Sequence, residues 1–122
     1  NKRYEAMTYV SPQLTQAAKR TGLTTIVLAQ LNRDVDKAGK VSLSSIRDTG
    51  QFEQDADVVM MLWYDFMHSG DPMKLNTIEL HIAKNRNRGL PTQRKIELDF
   101  YPEKMRIEDP RTRQVNEFVE SL

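Results

Sequence analysis

The chain has 122 residues, 39% of them hydrophobic and 29% charged, which suits one water-exposed domain with a single core. Its net charge of +1 gives no global field toward polyanions, so any nucleic-acid contact must come from local patches. The absence of cysteine excludes disulfides and thiolate metal sites, and no apolar run approaches the ~20 residues of a membrane helix. No signal peptide opens the chain, and its start at Asn1 inside a helical pattern reads as a fragment or processed product. A cytoplasmic location is the expectation.

In chain order, Ala6, Met7, Val10, Leu14, Ala17 and Ala18 recur at helical spacing through residues 3 to 21. Pro12 interrupts them: either the helix kinks there, or Ser11 caps a second helix with Pro12 in its first turn. Gly22 is placed as a helix stop. Thr24 to Ala29 is a short β-rich apolar run that reads as a buried parallel strand, ending in Gln30-Leu31-Asn32-Arg33. Residues 34 to 45 read as a mobile loop, and Ser45 to Asp55 as one or two short helices.

Val58 to Trp63 reads as a second buried strand, followed by a turn with Gly70 and Pro72. Thr77 to Ala83 alternates as a half-exposed strand does. A basic turn spans Lys84 to Pro91, Arg94 to Phe100 alternates again, and Lys104 to Ile107 is its expected hairpin partner. The tail from Pro110 onward is weakly patterned. The order predicts an α/β sheet with an antiparallel edge.

No G-x-x-x-x-G-K-[ST] occurs, so the chain has no phosphate-cradling loop of its own. Val58 to Tyr64 followed by Asp65 imitates a Mg²⁺-holding Walker B strand, but such a strand is useful only beside that loop. Asp65 is therefore read as a turn residue, and His68 and His81 as structural histidines. Three segments remain. Gln30 stands at the carboxyl end of a strand, where open α/β sheets bind ligands; an amide capping a neighbouring turn is the alternative. In Ile46 to Asp57, Thr49 or Asp48 can cap a helix, with Glu53 completing a capping box. Arg47 beside such a helix end would suit a phosphate of single-stranded DNA; a plain capped helix burying Phe52 is the alternative. Lys84 to Gly89 places planar, permanently charged donors where they can leave the subunit. An arginine finger, a DNA-backbone contact and a solvated basic turn all fit.

Together these segments resemble the DnaB-like hexameric helicases of bacteria and phages. The family pattern S-Q-L-N-R is similar to Ala29-Gln30-Leu31-Asn32-Arg33. R-E-S-G-S-I-E-Q-D-A-D is similar to Arg47 through Asp57, with Asp48, Thr49, Gln51 and Phe52 departing. G-K-Q-R-N-G is similar to Ala83 through Asn87, with an extra Arg88 before Gly89. The resemblance covers residues 3 to about 108. It implies a partial RecA-like core of the P-loop NTPase type, parallel strands with an antiparallel edge hairpin, lacking the P-loop half. Residues 1–109 would be the downstream part of that domain and 110–122 a C-terminal tail.

By the same resemblance, Gln30 is a sensor coupling ATP state to a DNA loop at residues 33 to 50. Arg47, Asp48 and Gly50 lie against phosphates of single-stranded DNA. Lys84 and Arg86 reach a nucleotide held by the adjacent subunit, Arg86 being preferred over Arg88 as the finger. ATP and Mg²⁺ would be bound mainly by the upstream half. Partners would be single-stranded DNA, sister subunits in a hexameric ring, and a primase or helicase loader. The implied function is ATP-driven translocation and duplex unwinding at a replication fork. The rivals are another RecA-type ATPase, such as a recombinase or clock-type ATPase, and a non-enzymatic DNA-binding module. The fragment alone is expected to bind ATP poorly and to need another chain to complete its core.

Overall fold

A computed structural model of the chain describes residues 2–30, 50–86 and 94–122. Helix α1 (Lys2–Thr21) is continuous through Pro12, so neither a break nor a second cap occurs at Ser11. Lys19 and Arg20 complement the negative end of its dipole. It closes where Gly22, at φ 70°, enters the left-handed region and donates to the Ala18 carbonyl at 2.9 Å. Helix α2 (Gly50–Asp55) follows, one turn and a half long.

The sheet is an antiparallel meander in sequence order: β1 (Val58–Trp63), β2 (Thr77–Asn85), β3 (Arg94–Tyr101) and β4 (Arg106–Glu108). Between β1 and β2 lies a short helix α3 (Phe66–Ser69), ended by Gly70 at φ 67°. Helix α4 (Pro110–Ser121) closes the chain, with the Asp109 side chain accepting from the Arg111 amide and Pro110 in the first turn.

Alternation along β1 sets the core. Val59, Met61 and Trp63 are buried, while Val58, Met60 and Leu62 face outward. From β2, Ile78 and Ile82 are buried. Tyr64 holds the far end together, donating to the Leu75 carbonyl at 2.8 Å and meeting Phe100 edge-on at 4.9 Å.

Two expectations change. Val58–Trp63 is not buried on both faces: it pairs on one side with β2, antiparallel, and alternates. Thr24 to Ala29 carries no strand, and Leu28 is 93% exposed. A strand requires a neighbour's amides and carbonyls, and no described residue pairs with this run. The described sheet thus contains no parallel pair.

Candidate nucleotide and nucleic-acid interface

The strand β2 extends two residues beyond its predicted end, so Lys84 and Asn85 belong to the sheet. Register then decides where the cations point. Met61 opposes His81 and Met60 opposes Ile82, but Val59 opposes Lys84, which leaves Ala83 as an extra residue on β2. Such a bulge flips the following side chains to the other face. It carries Lys84 to the Val59 side, and the Arg86 amide continues the pairing by donating to the Asp57 carbonyl at 2.8 Å.

On that side both cations meet the C-terminal end of α2. Lys84 Nζ donates to the carbonyls of Glu53 at 2.6 Å and Gln54 at 2.9 Å. Arg86 Nη2 donates to the Gln54 carbonyl at 2.5 Å, and its Nη1 lies 3.6 Å from Asp57 Oδ1. The last carbonyls of a helix have no intrahelical donor, so cations there satisfy real acceptors. Asp55, beside them, accepts from Gln51 Nε2 at 3.0 Å and from Ser11 Oγ at 2.8 Å. These two hydrogen bonds, Gln51 first, hold its carboxyl below the ordinary aspartate range, with a smaller contribution from Arg86 and Lys84. Ser11, 2% exposed, is the buried polar residue of α1.

The other predicted residues fall differently. Gly50 is the first residue of α2. Gln30 is exposed at the end of a stretch without regular structure and is not brought to Lys84 and Arg86. Arg47, Asp48 and the capping residue Thr49 lie outside the described residues, as does Arg88. Asp65 accepts from Trp63 Nε1 at 3.3 Å and precedes α3, a turn role. His68 stacks on Trp63 at 3.9 Å, and His81 bonds Glu79 at 2.9 Å, so both have structural surroundings. No group of three metal-ligating side chains occurs among the described residues. Sequence reasoning missed the Ser11–Asp55–Gln51 cluster. The i, i+4 spacing of Gln51 and Asp55 was the available signal; nothing local marks Ser11.

The shape of this assembly is shared with known ATPase domains. The chain is similar to a solved structure of a single ATPase domain, with a TM-score of 0.80, 28% identity, and coverage of 89% of this chain and 38% of that one. It is also similar to the structure of a DnaB-like replicative helicase and its interactions with primase, at TM-score 0.74 and 29% identity, covering 83% of this chain and 24% of that one. The chain belongs to the DnaB-like helicase C terminal domain family, whose sequence profile matches residues 1–109. It is 34% identical over 103 residues to the replicative DNA helicase DnaB of Geobacillus stearothermophilus, covering 83% of this chain. It is 34% identical over 87 residues to the replicative DNA helicase DnaC of Bacillus subtilis, covering 70% of this chain. The chain spans 22% and 19% of the length of these two relatives.

Proposed function

We propose that this chain is the downstream part of the RecA-like core of a replicative helicase, which couples ATP hydrolysis to movement of a hexameric ring along single-stranded DNA. The observation that carries the reading is the convergence of Lys84 and Arg86 on the end of α2, the helix whose first residue, Gly50, closes the predicted DNA segment. Two permanently or readily charged donors held together on one strand end suit a terminal phosphate. Phosphate oxygens are stronger acceptors than the carbonyls of Glu53 and Gln54, so the same donors can exchange one for the other.

The described residues fit an outer contact to a nucleotide rather than a cradle for one. They offer cations at a strand end but no glycine-rich phosphate loop. In this reading ATP with Mg²⁺ is held by the neighbouring subunit and supplies the free energy of phosphoanhydride hydrolysis when bound. Lys84 and Arg86 place positive charge against its terminal phosphate, Arg86 as the finger. Arg47, Asp48 and Gly50 meet the phosphates of the strand, residues 33 to 50 line the channel, and Gln30 relays the nucleotide state to that loop. Primase or a helicase loader is the proposed protein partner, since a structural relative is described with primase. The cytoplasm is the proposed location; no described helix is long and apolar enough to cross a membrane.

The test is Arg86→Ala in the full-length ring. Loss of a finger costs about 10³-fold or more in turnover. ATP turnover should fall on that scale while the affinity for a fluorescent single strand stays within about twofold. A DNA-binding module predicts the reverse: weakened strand binding with turnover unaffected.

A further inference from the structure

We infer that Asp55 is a positioning residue for Lys84 and Arg86, locking α2 against α1 so that the ends of the helix stay aligned with the two cations. The inference rests on the helicase reading above and adds a residue to it. Two independent features meet at α2. At its C-terminal end, the bulge at Ala83 brings Lys84 and Arg86 onto the carbonyls of Glu53 and Gln54. One residue further on, a single carboxylate oxygen of Asp55 accepts from Gln51 within the helix and from Ser11, 44 residues earlier on α1.

The second bond joins two elements that the chain itself does not hold together. Ser11 is 2% exposed, so its hydroxyl needs a partner, and Asp55 is that partner. Helix α2 has six residues, too few to hold its place by its own hydrogen bonds. Its position therefore depends on side-chain anchors at its end. When Lys84 and Arg86 move to a phosphate on the neighbouring subunit, their carbonyl contacts are lost, and the Ser11–Asp55 bond remains as the anchor. That makes Asp55 the fixed point about which a change at the cations is passed to Gly50 and the segment before it.

The experiment is a set of single substitutions in the full-length ring, assayed for ATP turnover with and without single-stranded DNA, ATP KM, ring assembly and thermal stability. Asp55→Ala should reduce the stimulation of turnover by DNA about tenfold while ATP KM stays within about twofold. Ser11→Ala should lose part of the stimulation. Asp55→Asn keeps an acceptor oxygen and should recover most of it. Stimulation at the wild-type level in Asp55→Ala overturns the inference. So does an equal loss in Asp55→Ala and Asp55→Asn that tracks a fall in thermal stability, the sign of a merely structural role. If Asp55→Ala does not assemble, Ser11→Ala decides, and unchanged stimulation there overturns the inference. Arg86→Ala separates the two levels. Full turnover in Arg86→Ala removes the helicase reading of the cations, whereas lost turnover in Arg86→Ala with normal Asp55→Ala removes only the role of Asp55.

Discussion

Glu79 shows how this sheet uses charge at the level of single residues. It is mostly buried, and burial alone would raise its pKa. Hydrogen bonds from His81 at 2.9 Å and Lys95 at 3.1 Å outweigh that and bring it below its ordinary 4.5. A carboxyl lowered on folding stabilises the fold above its unfolded pKa, and that contribution is lost as pH falls through the folded value. Glu79→Gln should therefore flatten the acid limb of stability below about pH 4.5, with little change in its slope near neutrality, as read by denaturant midpoints across pH. An unchanged acid limb would show that Glu79 carries no such linkage. Met105 offers a second residue-scale prediction. It sits at φ 48° and is 84% exposed, so it carries left-handed strain without much packing. Met105→Gly should stabilise the chain by roughly 0.5–1 kcal/mol, the relieved strain being partly offset by glycine's greater unfolded-state freedom.

At the level of elements, strands were more legible than their surroundings. Alternation marked β2 and β3 because each has one face toward the core and one toward solvent. The hairpin partner appeared as β4 at Arg106–Glu108, close to its expected place. Pro12 left two possibilities open, and α1 simply continues through it. Helix α4 was missed because its apolar residues are sparse, although Asp109-Pro110 is a start signal. Its attachment to the sheet runs through Arg113, 3.5 Å from an Asp99 carboxylate that is 14% exposed. That oxygen has no hydrogen bond of good geometry, so the contact is an ion pair by proximity. Arg113→Ala should speed amide exchange across Val115–Val119 while leaving exchange in β2 unchanged. Equal exchange in both proteins would mean that α4 is held by other contacts.

At the level of the whole molecule, local chemistry was readable and partnership was not. The basic segment announced itself by composition, but the carbonyls that receive Lys84 and Arg86 come from residues 30 to 32 positions away, and a bulge decides the face. Thr24 to Ala29 has the composition of a buried strand, yet Ile26 is 80% exposed, and the outer face of β1 is exposed too. Apolar surface of that kind marks a place for covering structure. In the proposed parent this is the remainder of the RecA-like sheet, so the 122-residue chain alone should show no ATP turnover above background and should associate with itself at micromolar concentration. Robust turnover by the isolated chain would contradict that.

The central claim is that Lys84 and Arg86 act on a nucleotide held by another subunit, and subunit mixing tests it most directly. One full-length variant carries Arg86→Ala; the other has an inactivated phosphate-binding loop and intact cations. Each alone should turn over little ATP, and mixed rings should regain turnover wherever an intact cation pair faces an intact loop. Mixed rings that assemble but stay as inactive as the separate variants, or rings of Arg86→Ala alone with full turnover, would contradict the claim.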